Sequence, residues 1–349
     1  GTNVDHFVIY VASGGHHIRV KNSDILNAPQ SGIETVTVRG AAIPSDHNEF
    51  LNLDIHHNGT TDFDHGAYLA SSYNRLENCS IHHNSGWGAH VYNSRYPDVP
   101  ADGNIVSNNR IYDNAAVGDR GWGIVLSSGN GNLAYNNLVW GNNGGIQIAY
   151  KATNGKAYNN VVYANGLMGI WVGTDSINAV VRNNIIYQNA GPAFSDSGTG
   201  TIQDHNLIGV DPHFMDVAAY DFHLRPTSPA IDAGMTLSEV PDDFDGVVRP
   251  QGAAYDIGAF EYGSDPSPPT PTLISAAAGI EQVKTLSDHR DASFGEAYGV
   301  LVKELRLLAR AVFVVDQEGT LRYEQIVGEM VNEPDYEAAL SAAKKLVNA

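Results

Sequence analysis

The stretch NCSIHHNSGWGAHVYN, residues 78–93, decides the fold because both of its halves recur. Its opening NCSIHHN follows a pattern of asparagine, two residues, an aliphatic residue, two residues and asparagine. Relatives of that segment, NSDILNA, NLDIHHN, NNRIYDN, NNLVWGN, NNVVYAN and NNIIYQN, start at Asn22, Asn52, Asn108, Asn136, Asn159 and Asn183. With Asn78 included, the spacings are 30, 26, 30, 28, 23 and 24 residues. A unit of this size is too short for a strand, crossover helix and strand, and it shows no helical periodicity. It suits three short strands joined by turns, and stacked copies make a parallel β-helix.

Two columns read as core: Val20, Phe50, Leu76, Val106, Ala134, Ala157 and Val181 before the asparagine, and Ile25, Ile55, Ile81, Ile111, Val139, Val162 and Ile186 after it. Strict alternation conflicts with those offsets, so the chain is expected to turn a corner at the asparagine. That residue tolerates left-handed backbone and can bond along a stack of its own kind. The variable spacing then places insertions such as NSRYPDVPADGN and AAVGDR in one loop per coil, and such loops often carry function.

The second half of the stretch, GAHVY from Gly88, also repeats: GIETV from Gly32, GAYLA from Gly66, GIVLS from Gly123, GIQIA from Gly145 and GIWVG from Gly169. Ile33, Ala67, Ala89, Ile124, Ile146 and Ile170 point inward, together with the residues two further on. The opposite column reads Glu34, Tyr68, His90, Val125, Gln147 and Trp171, followed by Val36, Ala70, Tyr92, Ser127, Ala149 and Gly173. Coils stack about 4.8 Å apart, so this polar and aromatic strip extends for roughly 20 Å, long enough for a polymer. Asp64, His65, Arg95, Asp119, Arg120, Tyr150 and Lys151 stand on strand ends or adjoining loops. Parity places His65 on the inward side, although a residue at a corner need not obey it.

A strip of this kind is solvated surface by default. Read as a groove, it has the parts for β-elimination on a uronic acid polymer: a base takes the proton beside the carboxylate and cations stabilise the developing charge. His90 and Tyr68 are the base candidates, and Arg120 and Lys151 the charge stabilisers. Glu34, His65, Tyr92, Arg95, Gln147, Tyr150 and Trp171 are the substrate-binding candidates. A glycosidase would need two carboxyl groups roughly 5 to 10 Å apart, for which Asp64 and Asp119 are the alternative acid and base. A non-catalytic glycan-binding surface needs only aromatic and amide side chains such as Tyr68, Tyr92, Gln147 and Trp171.

The histidines of residues 78–93 separate by column. His82 shares one with His56, Tyr112, Trp140, Tyr163 and Tyr187, and His83 shares one with His57, Asp113, Gly141, Ala164 and Gln188. A ring at one column in six coils reads as a scaffold stack. Adjacent histidines diverge and no helical pair accompanies them, so metal binding is the lesser reading. DDFDG, residues 242–246, offers oxygen ligands without the spacing of an EF-hand loop, and a closing turn is its default reading.

The 349 residues carry 39 acidic and 20 basic side chains, a formal net charge of -19 that disfavours general attraction to nucleic acid or anionic membrane. No apolar run approaches a membrane span of about 20 residues. One cysteine, Cys79, excludes an internal disulfide framework. The chain starts at Gly1 without a signal-type segment, which reads as a processed or artificial boundary. Oligomeric state is not legible.

Residues 1–210 form the expected β-helix. From 211 to 263 the coil repeat gives way to DPHFMD, DFHLRPTSPAIDAG and DFDGVVRPQGAAYDIGAFEYG, read as a closing module over the solenoid end. Residues 264–274 are a proline-rich linker. In 275–349, EAYGVLVKELRLL reads as a helix, RAVFVVDQEGTLRYEQIV as a hairpin and EPDYEAALSAAKKLVNA as an amphipathic helix. Exposed apolar surface there could recruit a partner.

The coils resemble the secreted right-handed parallel β-helix proteins of the pectate-lyase-like superfamily. That resemblance implies an all-β right-handed solenoid and polysaccharide processing, by lyases, hydrolases or epimerases, with calcium use among the lyases. The closing segment resembles modules of exported bacterial β-helix proteins, which implies a secreted or cell-surface setting. The tail from Gly279 is similar to the C-terminal half of atypical two-cysteine thiol peroxidases, through GIEQVKTLSDHRDASFGEAYGV, LARAVFVVD and NEPDYEAAL. Arg310 matches the arginine that supports the peroxidatic thiolate in that family. The half carrying that cysteine is missing and Ser275 stands where a resolving cysteine might be, so the tail is expected to be a thioredoxin-like fragment without peroxidase activity.

Overall fold

The computed structural model describes residues 6–263 except 94, 95, 97, 116, 119 and 120, together with the backbone of four short strands between 301 and 326. The chain divides into two compact units, 1–266 and 267–349. In the first, each coil places one strand in each of three eight-stranded sheets. One turn runs through His65–Ala70, Arg75–Glu77 and Ser80–His82 before Trp87–Val91 returns to the first sheet. Neighbouring coils pair in parallel, as in Ala67 with Ala89 and Ala89 with Ile124.

Both aliphatic columns are interior. Phe50, Leu76, Val106, Ala134, Ala157 and Val181 come from the second sheet, and Ile25, Ile55, Ile81, Ile111, Val139, Val162 and Ile186 from the third. Like stacks on like, which lets short strands share one continuous core that no single coil could close.

The corner divides between two residues the properties expected of one asparagine. Asn22, Asn52, Asn78, Asn108, Asn136, Asn159 and Asn183 all adopt left-handed backbone, with φ between 49° and 57°. The continuous buried ladder belongs to the next position, where Asn109, Asn137, Asn160 and Asn184 each donate Nδ2 to the Oδ1 one coil on, ending at Asn206. Cys79 holds this column one coil earlier and accepts the Leu53 amide on Sγ. A second ladder runs Asn58, Asn84, Asn114, Asn142, Asn165 and Asn189. Each amide thereby satisfies backbone groups that a tight corner would bury unpaired.

Insertions fall at two corners, where the sequence suggested one. NSRYPDVPADGN lies between the first-sheet strand Trp87–Val91 and the second-sheet strand Ile105–Ser107, and AAVGDR between the third-sheet strand Arg110–Tyr112 and the first-sheet strand Trp122–Ser127. They flank the outer face of the first sheet on opposite sides.

The segment after residue 210 also departs from expectation, because it lies mainly against the sides of the last coils. Phe214, Phe222, Leu224, Ile257 and Phe260 pack on Leu138, Trp140, Val161 and Ile185 of the third sheet. Leu237, Val240 and Tyr255 pack on Leu133 and Tyr158 of the second. Left-handed corner asparagines stitch it down: Asn136 Nδ2 donates to the Asp242 carbonyl, Asn159 Nδ2 to those of Asp256 and Gly258, and Asn183 Nδ2 to that of Met235. Outer-face apolar residues on these coils supply the reason, since they give the segment more to bury than an end would.

In the second unit, Leu301–Val302 pairs antiparallel with Leu307–Leu308, and Ala311–Val315 with Leu321–Ile326. The latter is the expected hairpin. The expected helix across 296–308 is contradicted at its paired positions, which carry extended backbone; valine at 300 and 302 favours strand over helix. The linker and the final amphipathic segment lie outside the described residues.

Candidate functional site

The first sheet carries the candidate site because its outer column is in register coil by coil. Tyr10, Glu34, Tyr68, His90, Val125, Gln147, Trp171 and Ser195 are successive neighbours. Glu34, Tyr68, His90 and Gln147 are buried, however, where a free sheet face would leave them wet. Tyr96, from the loop after Trp87–Val91, packs over Tyr68, Val36 and Ala70. Arg39 and Asp98 pair across two of the loops on that side.

His65 stands on this outer face, which corrects the parity reading. The correction comes from the glycine that follows it. A Cβ on Gly66 would lie 2.7 Å from Ile81 Cγ2, and one on Gly88 2.6 Å from Ile111 Cγ2, so both glycines already turn inward against the third sheet. Ala67 and Ala89 are inward as well, so alternation restarts at each glycine. The residue before it therefore faces out. Ser31, His65, Trp87 and Trp122 make this extra column, and Trp87 pairs with His65 in register. Ser31 and Trp87 were not singled out by sequence reasoning, and their signal is position: each immediately precedes a strand-opening glycine.

The columns converge on two histidines. His65 stacks between Tyr68 and Trp87, with ring centroids at 4.6 and 4.9 Å. Its Nε2 lies 2.9 Å from His90 Nδ1, and its Nδ1 lies 3.2 Å from Ser31 Oγ. That same oxygen accepts the His65 backbone amide at 3.0 Å. His90 Nε2 is buried and has no hydrogen-bond partner among the described residues. Burial pushes His90 down to about 3 and holds His65 well below the ordinary imidazole range, with repulsion between the two adding to the effect on His65. Both rings are neutral near pH 7.

Aromatic rings continue from this centre along the sheet. Phe63 meets Trp87 edge-on at 6.1 Å and is 59% exposed, and Tyr92 stacks on His90 at 5.6 Å. Tyr150, 55% exposed, stacks on Tyr92 at 5.9 Å across the small Ser127. Trp122 and Trp171 approach to 6.0 Å across Gly144, where a Cβ would meet the Trp122 ring at 2.4 Å. At Ser127 and Gly144 a small residue thus separates large rings on the coils to either side, leaving a row of aromatic faces.

The remaining candidates are dispersed. Asp64 Oδ2 accepts from the Thr60 and Thr61 amides and from Thr61 Oγ1, which ties it to its own turn. Tyr150 and Lys151 form a left-handed turn after the strand Gly144–Ala149, and Lys151 is exposed. Arg95, Asp119, Arg120 and Arg310 lie outside the described residues. On the third sheet, His56, His82, Tyr112 and Trp140 stack at 5.1, 4.7 and 4.6 Å, the scaffold ladder expected. No group of three or more potential metal ligands forms among the described residues, and DDFDG closes a turn in which Asp243 Oδ1 accepts the amides of Asp245 and Val247. No described helix is long and apolar enough to cross a membrane.

Comparison with known proteins agrees with the two-part organisation. Residues 39–208 match the family described as right handed beta helix region, and residues 264–340 match redoxin. The solenoid is therefore a right-handed parallel β-helix, and the tail is similar to redoxin over residues 264–340. Among solved structures, the periplasmic alginate epimerase AlgG is 20% identical, covering 57% of this chain and 47% of its own, with a TM-score of 0.46. The pectate lyase Pel9A is 16% identical, covering 73% and 86%, with a TM-score of 0.39. The tail is 62% identical over 69 residues to thiol peroxidase of Halalkalibacterium halodurans and 61% over 71 residues to that of Bacillus subtilis. In both cases the match spans 20% of this chain and 42% of the relative's length.

Proposed function

We propose that this chain is a carbohydrate-active protein that holds an acidic polysaccharide along the outer face of the first sheet and cleaves it by β-elimination, with His90 taking the proton beside the uronate carboxylate. The observation that carries this reading is His90 itself: a neutral imidazole with one nitrogen unpartnered, set within a row of aromatic faces. A base must be unprotonated at working pH, and apolar sugar faces stack on aromatic rings. Tyr68 contacts the same ring edge-on at 5.4 Å. Lys151 and Arg120 are assigned to the developing charge, and Trp87, Tyr92, Tyr150, Gln147 and Trp171 to the polymer. Export to the periplasm or cell surface fits a polymeric substrate and belongs to the same proposal. Calcium, if used, would neutralise the substrate carboxylate.

One observation favours a second reading, a glycan-binding surface without chemistry. His90 Nε2 is enclosed, with Trp87, Tyr68 and Tyr92 within ring-contact distance of the imidazole. Stacking needs only the exposed rims of Trp87, Tyr150 and Trp171. The hydrolase reading is weaker at Asp64, whose Oδ2 is engaged three times over.

The redoxin segment is assigned no peroxidase activity. Cys79 is the chain's single thiol, and burial in the solenoid pushes it up to about 12, far from the thiolate that such chemistry requires.

The test is a panel of uronic acid polysaccharides, with and without calcium, followed by the ultraviolet absorbance of unsaturated uronates and by binding calorimetry. Absorbance that His90→Gln abolishes while binding persists supports elimination. Binding without new absorbance or released oligosaccharides supports the binding surface. Oligosaccharides without absorbance point to hydrolysis.

A further inference from the structure

Three buried polar residues on the outer face of the first sheet form one connected line. Ser31 Oγ, His65 Nδ1, His65 Nε2, His90 Nδ1 and His90 Nε2 follow one another, with contacts of 3.2 Å between serine and first ring and 2.9 Å between the rings. All three residues are buried, and the line ends at the unpartnered Nε2. They come from three successive coils. Each of the two contacts holds one proton, so the tautomer of either ring dictates that of the other.

Two neutral arrangements satisfy the line. In one, both rings carry hydrogen on Nδ1: His90 donates to His65, His65 donates to Ser31 Oγ, and His90 Nε2 is a lone pair. In the other both carry it on Nε2, which leaves an N–H buried without an acceptor. A buried orphan donor is rarer than an under-satisfied acceptor. Ser31 Oγ already accepts the His65 amide and keeps a second lone pair for the ring. In the first arrangement the unplaced hydrogen is that of the rotatable Ser31 hydroxyl, whereas in the second it is the fixed Nε2–H of His90, and this selects the first.

We propose that Ser31 and His65 are positioning residues of a two-histidine proton relay whose open end is His90 Nε2. This rests on the reading of His90 as the base, and it changes the part assigned to His65, which supports the base from behind and does not meet the sugar. A proton leaving a substrate carbon is bonded by the Nε2 lone pair, while its electron pair remains on the substrate. The Nδ1 proton of His90 then passes to His65 Nε2. His90 is left neutral and His65 carries the charge transiently as the imidazolium, against the burial that keeps it neutral at rest, with its Nδ1–H held by Ser31 Oγ. One proton is lost by the substrate and one gained by the pair, and the positive charge ends one ring away from the reacting carbon.

The experiment is long-range 1H–15N correlation on the full chain labelled at histidine, with His65→Gln and His90→Gln used to assign the two rings. In the wild-type protein the expected result is hydrogen on Nδ1 of both rings and a nitrogen–nitrogen coupling between His65 Nε2 and His90 Nδ1. Ser31→Ala is expected to move both rings together toward the Nε2–H form, and Ser31→Thr to restore the first. Absence of the coupling in the wild-type protein overturns the relay, even if Ser31→Ala fails to fold. A His90 tautomer unchanged in folded Ser31→Ala, or rings that change independently, also overturns it. Failure of the lyase reading looks different: the coupling and linked tautomers are present, yet no polysaccharide yields unsaturated product.

Discussion

His65 and His90 each face a choice between charge and burial, and burial decides it. Neither ring has a carboxylate hydrogen-bond partner among the described residues, so desolvation acts unopposed and both fold as neutral rings. The sign of the consequence follows. Above about pH 6.5 both folded and unfolded imidazoles are neutral and the pair leaves stability unchanged; below it the unfolded chain binds protons that the folded chain refuses. Stability is therefore present above that value and lost as pH falls toward about 3, where His90 protonates in the fold. The slope is about 1.4 kcal/mol per pH unit for each ring while it lasts. His223, held between Asp221 and Asp245, is shifted upward despite the opposing burial, so its contribution is lost as pH rises through its folded value, a separate window. Urea unfolding between about pH 6.5 and about pH 5 is expected to show falling midpoints, with a shallower fall in His90→Gln. Equal slopes in the two proteins would place His90 in water.

Parity is where the strand reading stopped being sufficient. The column of Glu34, Tyr68 and His90 was legible because hydrophobic alternation within one strand fixes which side each residue takes. The outward position of His65 was not, since it depends on a contact between sheets: the space left for Gly66 by Ile81 on the opposite wall. The double asparagines failed for a related reason. Sequence shows that the pair recurs, but which member turns the corner and which enters the ladder is settled by backbone geometry. The glycine argument makes a sharp prediction at Gly123, where a Cβ would come 2.4 Å from Val139 Cγ1 and 3.0 Å from Asn142 Nδ2. Gly123→Ala is expected to cost about 1 to 3 kcal/mol by overpacking. Because the obstruction is mainly one methyl group, adding Val139→Ala is expected to recover part of that loss despite its own cavity, giving a non-additive cycle in denaturant unfolding. Additive losses would mean that the backbone at Gly123, and not its neighbour, sets the requirement.

The solenoid unit is closed by apolar packing with a buried polar latch at the junction, which composition could not disclose. Motifs after residue 210 announced a distinct module, but its site of attachment depends on which coils carry outward apolar residues and left-handed asparagines together. Coils five to seven do, through Leu138, Trp140, Val161 and Ile185 beside Asn136, Asn159 and Asn183. At the junction Arg249 is buried, donates Nη1 to Glu261 Oε1 at 2.6 Å, and sends Nη2 to the Gly258 carbonyl and to Asn136 Oδ1. Glu261 in turn accepts the amides of Gln251 and Asp256. A buried pair of this kind adds little net energy, yet breaking it leaves a charge in a dry place. Arg249→Met is therefore expected to lower stability by about 3 to 5 kcal/mol, and the double variant Arg249→Met, Glu261→Gln by clearly less. Since the module and the coils share these contacts within one compact unit, which holds all four tryptophans, both variants should unfold in a single transition by tryptophan fluorescence. Two separated transitions in the tryptophan signal would show that the module detaches first and that the latch holds only itself.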